Sequence, residues 1–527
     1  MQVTSPEIAT DRRMKSSSAE PKPKPVWRWL AIIAASCFLL STIKPGQKWD
    51  GDAELFILNS LNILHGQPYA STNYVLNPTN PLHPSAYPPG LPMLLAPVIA
   101  MFGINYIAMK VMITLSYIGM LVVVASMSGT FISEALIIVF IISLGLNPFV
   151  WSFKDVVFSE FPFMLFAYLG LFTFDQLDQA ASGKCSRTCL WIWTIACSMA
   201  LALAYETRAI GITLLAAVAA MCVWRFKTVR YFGPAVLFLA LAFSAFISWM
   251  FPADLRTYIS NWGDVTVETV EQLIRAIPSS SAMYRRAIEE ILAGSNGWSA
   301  AQKIIVTAVL AASALGVALK AVNRLTVYEA FLVAYLGTLL LYPISIEPFR
   351  YALPILPLVI LYFLYVVHKW KFVSGRPLLK PSIVFVMLGI LYLPQYAGSR
   401  KEEISVDGLE AQELYREIRE RVPPDAIILC QKPTIIALYG ERHVTNPPKN
   451  LTPEQFWRVV DQTKATWLVE LKTPLLYDKF SKYDRFSKII PKLQADFFDL
   501  EFSNRLFSLY HILAPRPAAS IDMGPRL

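Results

Sequence analysis

Apolar residues dominate this chain in long runs, with short polar and basic stretches set between them. The first 25 residues lack such runs. They are polar and rich in Pro, Ser and Lys, which predicts a disordered tail. A membrane-crossing helix needs roughly 17–25 predominantly apolar residues. Segments meeting that description lie near 26–43, 105–129, 131–149, 161–176, 189–205, 209–224, 233–251, 303–320, 325–344, 351–367 and 381–397. The pattern therefore predicts an α-helical polytopic membrane protein of about eleven spans. No small-residue cleavage site follows the first span, so it reads as an anchor rather than a removed signal. The stretch 91–102 is too short to cross alone, and Pro92 and Pro97 interrupt it, which suggests an interfacial or re-entrant helix.

After residue 398 the pattern changes. Residues 409–421 have the period of an amphipathic helix, and 426–430 read as a buried strand. A helix near 452–464 precedes a second strand at 465–471, and 497–513 reads as two strands joined at Ser503-Asn504. The division is a tail (1–25), a membrane module (26–397) containing a long first loop (44–90), and a small α/β domain (398–527). No Gly-rich phosphate loop and no internal repeat is visible.

Composition agrees. The chain is 55% hydrophobic and 16% charged, against about 25% charged for soluble domains. Its formal charge of +9 does not point to nucleic acid, because the basic residues cluster between apolar runs. Placing Lys184 and Arg187, Arg225 to Arg230, Lys320 and Arg324, and Lys369 to Lys380 on the inner side satisfies the positive-inside rule. The turn near 127–134 has no basic residue and is the exception. This orientation puts 44–90, 147–160, 251–302, 344–350 and the C-terminal domain on the extracytoplasmic side of a plasma (inner) membrane. Among the six cysteines, Cys185 and Cys189 could pair on one helix face, but they read as small apolar fillers at a helix start.

Candidate chemistry gathers in the outer segments. Asp50, Asp52 and Glu54 precede Leu55, Leu58, Leu61 and Ile63 at helical spacing, so a short helix with acids at its N-terminal end is expected. The helix dipole alone would favour carboxylates there. Glu160 stands at another helix start, Arg208 and Arg350 at span ends, where arginines also snorkel to headgroups. Glu206 reads as a partner for Arg208, and Lys154 and Asp155 as solvated loop charges.

Asp52, Phe56, Leu64-His65-Gly66 and Tyr87-Pro88-Pro89-Gly90 in order resemble the first outer loop of GT-C fold glycosyltransferases. The nearest resemblance is to the protein O-mannosyltransferase and lipid A aminoarabinose transferase superfamily. Ser159 to Phe163, Thr207 to Gly211 and Arg350 to Pro354 resemble that family's later motifs, in the same order. The sequence departs from the family in having Phe56 where Tyr is usual, and Ala86-Tyr87 where charged residues precede the prolines.

The resemblance implies a polyprenyl-phosphate-linked sugar donor, a lipid, glycan or protein acceptor, and Asp52 as catalytic acid, with Asp50 the next candidate. Glu160 is the second acid. Arg208 and Arg350 would contact the donor phosphate, with His83 close enough to add to them, and Tyr87, Pro88, Pro89 and Gly90 would form a substrate loop. The residue types suit the reaction. An attacking hydroxyl needs a carboxylate to take its proton, and a departing phosphate needs guanidinium donors. No cofactor is expected, although a divalent ion bridging Asp52 and Glu160 is an alternative. A transporter or flippase of lipid-linked sugars is the rival reading, and a membrane anchor for a working C-terminal domain the third.

Overall fold

The structure, a computed structural model, describes residues 26–49, 52–77, 86–183, 185–253, 267–294, 298–341, 347–370, 378–397, 404–447, 452–472 and 497–513. The expected tail, Asp50 and His83 lie outside the described residues.

Every apolar segment picked out above carries a helix. In chain order these are α1 (Val26–Ser41), α2 (Ala53–His65), α3 (Gly90–Phe102), α4 (Tyr106–Ser128), α5 (Glu134–Gly145), α6 (Pro148–Phe153), α7 (Glu160–Ser182) and α8 (Arg187–Thr207). There follow α9 (Ile212–Trp224), α10 (Phe226–Val229), α11 (Phe232–Met250), α12 (Val267–Ala293), α13 (Ala300–Asn323) and α14 (Val327–Leu341). The membrane module closes with α15 (Pro348–Ala352), α16 (Leu356–Lys369) and α17 (Leu379–Ala397). Six helices among the described residues are long and apolar enough to cross a membrane: Tyr106–Ser128, Arg187–Thr207, Phe232–Met250, Ala300–Asn323, Pro348–Lys369 and Leu379–Tyr396. The other apolar helices, Val26–Ser41 and Glu134–Gly145 among them, run 10–17 residues within the described part of the chain. The chain is an integral membrane protein.

α7 packs against α4 and α8, α8 against α11, and α13 against α16. α7 runs between two charged clusters. Glu160 stands in its first turn, and Asp178, paired with Arg324 at 3.1 Å, stands just before its last. At about 1.5 Å per residue the two acids are roughly 27 Å apart, close to the ~30 Å of a bilayer's hydrocarbon core. Buried tyrosines inside the bundle place their hydroxyls on carbonyls: Tyr117 donates to Leu144 at 3.1 Å and Tyr168 to Pro354 at 2.8 Å.

Two of the smaller readings are corrected here. Lys154 and Asp155 are both buried and paired at 2.8 Å, and Lys154 also donates to the Thr42 carbonyl at 2.6 Å. Together they cap the C-terminal end of α1 rather than meet solvent. Cys185 and Cys189 are joined as a disulfide rather than standing as separate fillers.

The C-terminal domain follows the expected pattern and adds two elements. Its parts are α18 (Leu409–Arg421), β1 (Ile427–Cys430), α19 (Pro433–Tyr439), β2 (His443–Thr445), α20 (Pro453–Thr463), β3 (Ala465–Leu471), β4 (Phe498–Ser503) and β5 (Phe507–Ile512). The strands form one mixed sheet in the order β2-β1-β3-β5-β4, parallel across β2, β1 and β3 and antiparallel beyond. Alternation of side chains splits the sheet's packing. Leu429 and Leu468 face Phe456, Val459 and Val460 of α20, whereas Ile428, Cys430 and Val469 join the larger core shared with the membrane module.

Candidate active site

Asp52 is the residue before the first turn of α2, and its side chain reaches away from the helix instead of capping it. Gly66 ends that helix with φ 64°, a left-handed conformation that favours glycine, and turns the chain back towards Tyr69. Glu160 stands in the first turn of α7 and is fully buried. Arg208 lies in the break between α8 and α9, and Arg350 in the short helix α15.

These four residues meet. Arg350 donates from Nε to Glu160 Oε1 at 2.5 Å and from Nη1 to Asp52 Oδ2 at 3.0 Å. Its Nη1 also reaches Glu347 Oε2 at 2.8 Å. Arg208 Nη1 bonds Glu160 Oε1 at 2.5 Å and the Ser159 hydroxyl at 3.2 Å. Aromatic faces back both guanidiniums, Phe158 at 3.9 Å from Arg350 and Tyr351 at 5.0 Å from Arg208. Three carboxylates thus share two cations in a largely buried cluster.

That arrangement sets aside the simpler readings of each residue. The arginines do not snorkel, because their side chains are only 10% and 12% exposed and both end on Glu160. Glu160 is more than a dipole-stabilising acid. Glu206 does not pair with Arg208: it accepts hydrogen bonds from Ser244 and Ser248.

The Tyr87 to Gly90 segment sits beside this cluster. Tyr87 stacks on Phe56 at 4.6 Å between ring centroids, its N–H meets Asn59 Oδ1 at 3.3 Å, and its carbonyl accepts from the Tyr69 hydroxyl at 2.7 Å. Pro88 follows, and Pro89 precedes the first turn of α3. Gly90 lies against the end of α8. A Cβ there would stand 2.5 Å from Thr207 Oγ1 and 2.7 Å from Thr207 N, one residue before Arg208. Because backbone atoms cannot swing aside, Gly90→Ala is expected to destabilise the protein by about 1–3 kcal/mol, measured as a lower denaturation midpoint.

Two contributors escape the sequence reading. Glu347 holds Arg350 from three residues away, in a left-handed conformation (φ 52°) unusual outside glycine. Glu54 was noticed only as one of a cluster of acids. It is fully buried, accepts from the Tyr106 hydroxyl at 3.3 Å, and its Oε2 has no hydrogen-bond partner. Burial pushes its carboxyl up from 4.5 to about 8, with Asp52 adding to the rise and Tyr106 and Lys432 opposing it.

Below pH 4.5 Glu54 is neutral whether the chain is folded or not. Between 4.5 and 8 the unfolded chain releases a proton that the folded chain keeps, so stability falls as pH rises through that window. The full effect is on the order of 5 kcal/mol. Glu54→Gln is therefore expected to unfold at a higher temperature than the parent, with the gap widening between pH 5 and pH 8. A gap that stayed constant would place the titration elsewhere.

The donor set does not suit a resident divalent ion. Asp52 and Glu160 are joined through the Arg350 guanidinium, and among the described residues no group of three or more His, Cys, Asp or Glu side chains is placed to hold a metal.

No protein-family profile matches the chain, and no curated protein sequence matches it. Solved structures do. The oligosaccharyltransferase AglB from Archaeoglobus fulgidus, in complex with an inhibitory peptide and a dolichol-phosphate, superposes with a TM-score of 0.57 at 9% identity. That match covers 85% of this chain and 70% of AglB. The arabinofuranosyltransferase AftD from Mycobacteria matches with a TM-score of 0.55 at 12% identity, over 94% of this chain and 42% of AftD. ArnT from Cupriavidus metallidurans is 12% identical over 93% of this chain and 99% of its own, at a TM-score of 0.43. The chain has the GT-C fold.

Proposed function

We propose that this protein is a membrane glycosyltransferase that moves a sugar from a polyprenyl-phosphate carrier to a lipid, glycan or protein acceptor, with inversion, on the extracytoplasmic face. The observation that carries this reading is the Arg350 bridge. One guanidinium holds Asp52 and Glu160 together, and Arg208 joins it on Glu160. Acids and cations with the two opposite tasks of the reaction thus lie within one side chain's reach. The GT-C fold supports sugar transfer in general, and the dolichol-phosphate bound to AglB supports a lipid-phosphate donor.

In this reading the acceptor hydroxyl attacks the anomeric carbon as the sugar–phosphate bond breaks, and Asp52 takes the hydroxyl proton. The departing polyprenyl phosphate carries away the bonding electrons, and Arg208 and Arg350 neutralise the charge that develops. Donor binding itself readies the base. As Arg350 turns to the phosphate it loosens its hold on Asp52, and the carboxylate regains the electron density that accepts a proton. Glu160, bound to both arginines, keeps the guanidiniums in place while that exchange occurs. Tyr87, Pro88, Pro89 and Gly90 border the same space and would shape the pocket for the sugar.

The test is transfer by purified protein in lipid, supplied with a panel of radiolabelled polyprenyl-phosphate sugars and mixed acceptors. Label passing to an acceptor supports the reading. Movement of the labelled lipid between leaflets with no transfer from any donor overturns it in favour of a transporter.

A further inference from the structure

The first loop and the C-terminal domain are bound to each other on both sides of Asp52. Upstream, the Trp49 N–H donates to the Ile404 carbonyl at 2.7 Å and the Val406 N–H to the Gln47 carbonyl at 2.8 Å. The Trp49 ring packs against Phe507 at 4.6 Å and Tyr415 at 5.9 Å. Downstream, the Val75 N–H donates to Val444 at 2.8 Å, and the Val444 N–H returns to Asn73 at 2.9 Å. The Tyr74 hydroxyl reaches Asn446 Oδ1 at 2.7 Å, and Asn77 Nδ2 the Asn446 carbonyl at 2.8 Å.

Between these two attachments α2 rests on α19. The Tyr106 hydroxyl donates to Glu54 Oε1 at 3.3 Å and shares a hydrogen bond with the Tyr439 hydroxyl, 2.5 Å away. Glu54 is two residues from Asp52, in the first turn of α2. A chain of hydroxyls therefore runs from the C-terminal domain to the start of the helix that presents the candidate base.

We propose that the C-terminal domain is a clamp that sets the position of Asp52, with Tyr439 and Asn446 as its positioning residues. This rests on the reading of Asp52 given above. The sheet edge at Val444 and Asn446 holds the loop's return, the Trp49 contact holds its start, and Tyr439 fixes the rotation of α2 through Tyr106 and Glu54. Burial keeps Glu54 neutral below about pH 8, so no buried charge stands among these hydroxyls. Such precision matters because an error of about 1 Å in a reacting group can cost 100-fold in rate.

The experiment compares Tyr439→Phe and Asn446→Ala with the full-length parent in lipid nanodiscs, reading hydrogen exchange by mass spectrometry and sugar transfer kinetics. Tyr439→Phe keeps the ring and its packing, so it separates a lost hydroxyl from a misfolded domain. The clamp predicts faster exchange over residues 47–77, with exchange in α7 and α16 unchanged. It also predicts a kcat lowered about 10- to 100-fold, with the donor KM within about threefold of the parent's. Unchanged exchange over 47–77 in both variants overturns the clamp, and so does faster exchange with an unaltered kcat. If the parent transfers sugar from no donor, it is the glycosyltransferase reading that fails. Exchange over 47–77 then still decides whether the C-terminal domain orders this loop, faster exchange supporting that and unchanged exchange overturning it.

Discussion

Asp52→Asn is expected to abolish sugar transfer while leaving donor binding intact. An amide keeps the shape of the side chain and still accepts a hydrogen bond from Arg350, now at 3.0 Å from the carboxylate. It cannot take the acceptor's proton. Loss of a general base lowers turnover by roughly 100- to 10,000-fold, and the donor's affinity depends on the arginines and the lipid tail instead. The measurement is kcat and donor affinity, determined separately on the same preparation. Full turnover in the variant would remove Asp52 from that role and move attention to Asp50. Equal loss of binding and turnover would mean that Asp52 orients Arg350 for the donor and performs no proton transfer.

The second large effect is structural. Arg350→Met is expected to destabilise the protein by about 3–5 kcal/mol, because it strips the shared cation from buried or half-buried carboxylates. Glu160 would keep only Arg208, while Asp52 and Glu347 would lose the guanidinium that draws them together. If charge is the cause, adding Glu160→Gln to Arg350→Met should recover part of the loss, since one fewer buried charge is then left without its second cation. Unfolding midpoints in detergent for the two single variants and the double would decide this. A double variant no more stable than Arg350→Met would point to lost packing on Phe158 instead.

Apolar runs were legible in the sequence because lipid-facing and bundle-facing residues alike must be hydrophobic, and every such run carries a helix. Whether each helix is long enough to cross was less legible. Helix length depends on where the backbone stops, and α5 stops at Gly145. In the C-terminal domain β1 and β3 are legible as short apolar runs, and β4 and β5 as two strands joined at Ser503-Asn504. β2 has three residues and α19 seven, too few for a period to appear.

The site shows the same division. Asp52, Glu160, Arg208 and Arg350 stood out because each lies in a motif near a helix end. Their joining through one guanidinium did not, because Asp52 and Arg350 are 298 residues apart. The buried charges that were misjudged, Lys154, Asp155 and Glu206, have partners that no local pattern announces. Glu54 was passed over for a related reason: its isolation depends on a tyrosine of α4 and one of the C-terminal domain.

The pairing of the first loop with the last domain also bears on how the protein is made. Tyr74 and Asn77 wait for Asn446, which is 372 and 369 residues further along the chain. At roughly 5–20 residues per second of synthesis, the ribosome needs about 20–70 seconds to deliver that partner. Throughout that interval the membrane helices can insert and pack, but the loop bearing Asp52 lacks its hold on Asn446. A product released before residue 446 would therefore carry the membrane helices without the partner that holds this loop's return.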